Sequence, residues 1–517
     1  MSALTLIGLV PLVGALVISL LPKGRELLVK QVALLTSLVV LVLTVALCVD
    51  YDTTSGASRF QFSEQHEWIK SFGVSYSVGV DGIALVLVAL IAVLVPVVLL
   101  SSWDDVELLE ASGQDAPGAK RKSVKSYFAL LLVLETMMIG VFVATDVFLF
   151  YVFFEAMLIP MYFLIGSYGG PRRSYAAVKF LLYSLFGGLL MLAAVIGLYV
   201  QSAQQGAGTF SFEALSKLDI GHTTQAWLFL GFFIAFAIKA PLFPFHTWLP
   251  DAGAEAPTGS AVLLVGVLDK VGTFGFLRYC LPLFPWAARE FAPYVIALSV
   301  VGVIYGALLA MGQKDLKRLV SYTSVAHFGF IGMGCFAFTT QAGTGAVLYM
   351  VNHGLSTGAL FMVLGFLINR GRTRLIADYS GIAKVAPTLA ALFFISGLSS
   401  LALPGLSTFI SEFLVLVGTF TRYRTAAVIA TAGIVLAALY ILLAYQRTMQ
   451  GALSSAHEGM KDLRAREVAA LAPLIALMVF LGFYPKPVTD IINPAVAATL
   501  HDVGATDPAP THLSGNR

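Results

Sequence analysis

Charge is what this sequence has least of. Only 12% of its 517 residues are Asp, Glu, Lys or Arg, against 58% hydrophobic, and the mean hydropathy is +0.86. Soluble domains carry about 25% charged residues, so the chain reads as an integral membrane protein. The net charge of +3 gives no basis for binding nucleic acid. Cysteine is as scarce: Cys48, Cys280 and Cys335 lie far apart, without metal-ligand or iron–sulfur spacing, and read as apolar fillers. No two histidines share a helix face for haem, and no dinucleotide-type glycine fingerprint follows a strand. The chain therefore shows no redox centre, cofactor site or metal site of its own. The opening MSALTLIGLVPLVGALVISLLPKGRELLVK lacks the basic start of a signal peptide, and its apolar run is long enough to remain as a span.

Long apolar runs are what it has instead. About 20 apolar residues cross a bilayer. Fourteen such segments run near 4–21, 29–48, 80–102, 125–145, 147–168, 176–201, 226–247, 255–279, 291–311, 318–339, 344–369, 388–420, 425–446 and 467–485. The twelfth is long because Pro404-Gly405 interrupts it. Lipid cannot satisfy open backbone groups, so the expected fold is an all-α polytopic membrane protein of about 14 transmembrane helices. The short loops leave 1–517 as a single membrane domain. Twenty of the 32 Lys and Arg fall in the loops of one face, and nine on the other with the tails. The positive-inside rule predicts that the basic loops are cytoplasmic and that both termini lie outside.

Two stretches look like a repeat. FFIAFAIKAPLFPF starts at Phe232 and FFISGLSSLALPGL at Phe393, and each breaks at a proline, Pro244 and Pro404. They lie five spans apart, and an odd repeat length turns the second copy upside down. Inverted repeats with paired broken helices are a transporter pattern, with the site near mid-membrane.

Ionisable residues sit inside the spans. Glu135 lies in span 4, Glu155 in span 5, Lys239 in span 7, Asp269 and Lys270 in span 8, His327 in span 10, His353 in span 11 and Glu412 in span 12. A charge at mid-bilayer costs roughly 2.5–3.5 kcal/mol on insertion scales, so such residues face the bundle interior. Singly, each has a bland alternative. Glu155 with Lys239 reads as an inert buried pair, and a lone histidine as a hydrogen-bonded packing residue. A series through both halves points instead to a proton relay. A lysine whose carboxylate partner approaches or withdraws is a switchable proton acceptor, and histidine is the intermediate carrier. Pro241 and Pro244 open the helix at Lys239, and His246 either passes protons on or caps the broken half-helix near Trp248. Ser399, Ser400, Ser407, Thr408 and Ser411 suit water wires around the second break.

At these residues the chain resembles a known family. ATDVFLFYVFFEAMLIPMYFLIGSYGG, AIKAPLFPFHTWLPDAGAEAPT, KDLKRLVSYTSVAHFGFIGMG and LALPGLSTFISEF are similar to the antiporter-like subunits of respiratory complex I, NADH:quinone oxidoreductase, a family related to Mrp-type cation/proton antiporters. The match runs from about span 3 to span 13. Glu412 on the broken twelfth helix resembles the M-type branch, whereas L-type, N-type and Mrp homologues usually place a lysine there. The resemblance implies inverted five-helix repeats at 125–279 (spans 4–8) and 291–446 (spans 9–13), flanked by 1–124 (spans 1–3) and 467–517 (span 14 and tail). It implies proton transfer by Glu155 and Lys239 in one half-channel, by Lys270, His327 and His353 along a central axis, and by Glu412 in the other. FMN, iron–sulfur clusters and quinone belong to partner subunits, and L- and N-type subunits are the expected neighbours. A bacterial cell (inner) membrane is implied, with the termini periplasmic. An Mrp-type antiporter subunit or a membrane hydrogenase subunit is the alternative. Two positions depart from the family pattern: Gly253 stands where His is usual, and Asp269 where an apolar residue is usual.

Overall fold

The computed structural model describes residues 2–54, 56–111 and 122–508, so Lys120, Arg121 and Arg517 of the charge count lie outside the described residues. Apolar runs become helices where a polar residue caps them. Ser2 caps α1 (Ala3–Leu20), which leads to α2 (Glu26–Asp50). A hairpin of β1 (Gln61–Ile69) and β2 (Val74–Val80) precedes α3 (Gly82–Ser101), whose N-cap Asp81 accepts from the Ala84 N–H at 2.9 Å. Then follow α4 (Asp105–Ala111), α5 (Val124–Val143), α6 (Val147–Ala156), α7 (Leu158–Tyr168), α8 (Arg173–Gln205) and α9 (Phe212–Leu215). The first broken helix is α10 (His222–Lys239) with α11 (Trp248–Glu255). The next span is α12 (Thr258–Leu263), α13 (Lys270–Gly275) and α14 (Leu281–Leu283), joined by π-helical turns at Leu264–Leu268 and Phe276–Cys280. The second half holds α15 (Pro285–Met311), α16 (Leu316–Phe336), α17 (Thr340–Gly371), the broken pair α18 (Pro387–Ser400) and α19 (Ser407–Phe420), then α20 (Arg424–Met449), α21 (Ala465–Phe483) and α22 (Lys486–Val503).

Among the described residues, twelve helical segments are long and apolar enough to cross a membrane. The broken pairs α10–α11 and α18–α19 account for the other two expected spans. Burial orders them radially. The α12–α14 span, α16 and α17 are almost wholly enclosed, while α1, α2, α8 and α20 turn most of their surface outward, as lipid-facing helices do. Small residues bring the inner helices close: Gly306 of α15 faces the Ala326 backbone of α16, and Gly329 of α16 faces Ser299 of α15.

The two-stranded hairpin and α22 are additions that the span count did not contain. Glu64 ties the hairpin to α1, accepting from the Ser2 N–H at 2.8 Å and the Thr5 hydroxyl at 2.5 Å. Helix α22 packs across α3, α14, α15 and α17, and its Asp502 pairs with Arg59 at 2.5 Å. Two residues of the charge count leave their assigned loops. Lys30 is buried on α2, 2.5 Å from Glu107. Arg278 is buried in a 2.6 Å ion pair with Asp81, because the second π-helical turn carries it inward to the capped start of α3. Cys48, Cys280 and Cys335 are free thiols.

Candidate functional site

The first break forms where Pro241 and Pro244 withdraw two backbone donors. Helix α10 stops at Lys239, and the chain runs in turns to Trp248. The Trp248 indole N–H then donates to the Ile238 carbonyl at 2.8 Å, satisfying a group that the break exposes. Lys239 is buried, and its Nζ has no hydrogen-bond partner; it sits 4.7 Å from the centre of the Phe154 ring and 6.0 Å from that of Phe180. Glu155, on α6, is half-buried, and its Oε1 also lacks a partner. Gly188 of α8 makes room for it: a Cβ there would overlap the Glu155 carboxylate. The two residues thus share one apolar, aromatic-walled site without being locked in a hydrogen bond.

The centre of the molecule is more tightly connected. Lys270 opens α13 directly after a π-helical turn, and its Nζ donates to the Val265 carbonyl. It also lies 2.6 Å from His353 Nδ1 on α17 and 3.0 Å from Asp269 Oδ1. The His353 ring stands 5.2 Å, centre to centre, from that of His327 on α16. His327 Nδ1 is 2.6 Å from the Tyr349 hydroxyl, which donates to Glu412 Oε2 on α19 at 2.9 Å. Lys270, His353, His327, Tyr349 and Glu412 therefore form one buried series.

Their hydrogen-bond roles follow from the donor inventory. With the Tyr349 hydroxyl proton on Glu412, His327 Nδ1 must donate to the Tyr349 oxygen, leaving His327 Nε2 as the acceptor. With Lys270 donating to His353 Nδ1, the His353 proton is on Nε2. His353 Nε2 has no hydrogen-bond partner, and His327 Nε2 lies 3.4 Å from Ser400 Oγ. These tautomers are assigned from the network.

The second break, at 401–406, uses two left-handed residues, Ala402 (φ 60°) and Gly405 (φ 93°). Only glycine adopts that conformation readily, so Ala402 is a strained point beside the site. Buried polar groups line this break: Ser400 Oγ lies 3.4 Å from His327 Nε2, and Asn352 Nδ2 donates to the Ser407 carbonyl at 2.7 Å and to Ser411 Oγ at 3.3 Å.

Two of the residues expected from sequence stand apart. Glu135 is fully buried on α5, and neither of its oxygens has a partner. His246 is buried between Phe243 and Tyr305, with Nδ1 unpartnered; the Leu249 N–H bonds to its backbone carbonyl, so its side chain does not cap α11. Gly253 packs against Ser321, where a side chain would collide. Tyr349 was missed by the sequence reading, although it lies four residues before His353 on one helix face, the spacing that could have found it.

The model of the family described as NADH:quinone oxidoreductase/Mrp antiporter, TM, matches residues 144–439, the segment that holds every member of the series. The chain belongs to this family. NADH-quinone oxidoreductase subunit M of Mycobacterium tuberculosis is 52% identical over 530 residues, covering 98% of this chain and 96% of the relative. The Rhodobacter capsulatus protein of that name is 40% identical, covering 96% of each chain. A chain in the structure of respiratory complex I from Thermus thermophilus with bound NADH superposes with a TM-score of 0.85 at 31% identity, over 97% of this chain and all of that one. A chain of the Dietzia Mrp complex has a TM-score of 0.80 at 19% identity, over 96% of this chain and 99% of that chain, a likeness of fold alone. This family member is a multi-pass membrane protein of the M-type branch, a subunit of NADH:quinone oxidoreductase.

Proposed function

We propose that this chain pumps protons across the membrane as a subunit of NADH:quinone oxidoreductase. Redox chemistry with FMN, iron–sulfur clusters and quinone in partner subunits drives it, and L- and N-type subunits flank it. The observation that carries this reading is the buried series Lys270, His353, His327, Tyr349 and Glu412, whose hydrogen-bonding groups suit proton transfer. A proton leaves Lys270 Nζ for His353 Nδ1, and His353 Nε2 gives up its own proton toward His327. His327 Nδ1 then delivers one to the Tyr349 oxygen, and the hydroxyl proton passes to Glu412. Glu155 and Lys239 form the other half-channel, with the basic loops cytoplasmic and the membrane that of a bacterial cell.

The test is proton transport in vesicles carrying the assembled complex. Glu155→Ala, Lys239→Ala and Glu412→Ala are expected to leave assembly intact and to lower NADH-driven transport by roughly 10²-fold, the lower end of what one proton-transfer group contributes. Wild-type transport in an assembled Glu155→Ala complex would sink the proposal.

A further inference from the structure

Lys270 has a companion that the proton series does not use. Asp269, its neighbour in sequence, is equally buried, with both side chains at 0% exposure, and its Oδ1 lies 3.0 Å from Lys270 Nζ. Neither Asp269 oxygen has a hydrogen-bond partner. The pairing depends on local backbone. Asp269 closes the π-helical turn Leu264–Leu268, its N–H reaching back to the Leu264 carbonyl at 3.3 Å, and the widened turn lets two consecutive side chains meet. An ammonium has three protons to donate. Three groups surround Nζ here: the Val265 carbonyl, His353 Nδ1 and Asp269 Oδ1. Two of them are neutral acceptors, and one carries the compensating charge.

We propose that Asp269 is the counter-ion that sets the proton occupancy of Lys270, a positioning residue for its transfer to His353. The proposal rests on the proton-pumping reading above. With Asp269 ionised, Lys270 is held as the ammonium. A proton arriving at Asp269 turns the carboxylate into the acid and removes that hold. Lys270 then passes its proton across 2.6 Å to His353 Nδ1, and His353 releases the one on Nε2. The acid returns its proton to the Lys270 amine, restoring the ion pair, and the proton left on His353 Nδ1 moves back to Nε2 before the next transfer. One proton enters at Asp269 and one leaves at His353. His353 on α17 and His327 on α16 are the titratable groups facing Lys270. Helix α3 has none, Arg278 is engaged with Asp81, and Glu135 on α5 and Lys239 on α10 make no hydrogen bond to the pair.

The experiment uses the assembled complex in inverted vesicles and records NADH-driven proton transport from about pH 5.5 to about pH 8.5, roughly 1.5 units either side of neutrality. Asp269→Asn keeps the shape and removes the charge. Its expected result is transport lowered about tenfold at neutral pH, with the profile displaced to the acid side by about one pH unit, the same tenfold in proton activity. Asp269→Glu should return the profile toward wild type. An assembled Asp269→Asn complex with the wild-type profile overturns the proposal. Should Asp269→Asn fail to assemble, the double variant Asp269→Asn, Lys270→Gln removes both charges. Regained assembly supports the ion pair, because removing one buried partner is worse than removing both. Continued failure overturns it, since a stranded Lys270 charge would then not be the cause. Lys239→Ala and Glu412→Ala in the same assay decide separately whether the chain pumps.

Discussion

Tyr349 joins a histidine to a carboxylate through one oxygen, so it is the residue whose single atom can be removed most cleanly. Tyr349→Phe keeps the ring and deletes the hydroxyl. It leaves His327 Nδ1 and Glu412 Oε2 facing a void, an expected loss of about 1–3 kcal/mol in stability for the orphaned groups. Proton transport is expected to fall at least about tenfold, with quinone reduction in the complex setting the control. Full transport in Tyr349→Phe would show that Glu412 is reached by another route. The ionisable members of the series were legible in the sequence because a charge in an apolar helix has few ordinary explanations. Lys270, His353 and Glu412 announce themselves that way. Tyr349 does not: tyrosine is common in membrane helices, and only its partners, brought from α16 and α19, give it a role. Asp269 was visible, but its contact with Lys270 depends on a π-helical turn that no periodicity reveals.

Most capped helices use a flanking residue, but α18 takes its cap from elsewhere in the chain. Asp462, in the loop before α21, accepts from the Thr388 N–H at 2.8 Å and the Leu389 N–H at 3.0 Å, closing the start of α18. Partial burial pushes its carboxyl up, but the N–H groups of Thr388, Leu463 and Leu389 outweigh that and hold it below the usual carboxylate range. A depressed carboxyl stabilises the fold above its unfolded value, about 3.9, and loses that contribution as pH falls through the folded value. Asp462→Ala is therefore expected to lower stability by only about 0.5–1 kcal/mol at neutral pH, discounted because the group is largely solvated. Thermal unfolding at pH 7 and pH 3 checks it, the gap between variant and wild type closing at the lower pH. The Arg278–Asp81 pair is the opposite case. Both partners are enclosed, so Arg278→Leu strands a carboxylate and is expected to cost about 3–5 kcal/mol. Loss of the thermostable complex is the measurement. Arg278 stands at the end of the eighth apolar run, and hydropathy alone does not show where a widened helix delivers it.

At the scale of the whole molecule, loops of one kind gather on one face, and Lys30–Glu107, Arg370–Glu467 and Arg374–Glu255 hold that face together. The hairpin and α22 lie on the other, near Arg59–Asp502. Orientation is testable with an impermeant thiol reagent in a Cys48→Ser background. Arg25→Cys should label only from the cytoplasmic side and Lys486→Cys only from the periplasm; the reverse pattern would refute the proposed orientation. Fourteen spans were legible because membrane helices are written in long apolar runs. Helix α22 escaped because Lys486, Asp490, Asn493 and Asp502 dilute its apolar face, and the hairpin because QFSEQHEWI is largely polar. One helix in this architecture has a further consequence. Helix α17 carries both His353 and Tyr349, while their partners Lys270, His327 and Glu412 belong to three other helices. A slide of about 2.3 Å across the line of a 2.6 Å contact takes it to about 3.5 Å, the limit of a hydrogen bond. One small shift of α17 along its axis thus breaks the link to Lys270 and the link to His327 together. Electrical continuity through the protein becomes a question of mechanical alignment: a displacement of less than the rise of two helical residues, about 3 Å, is enough to interrupt it.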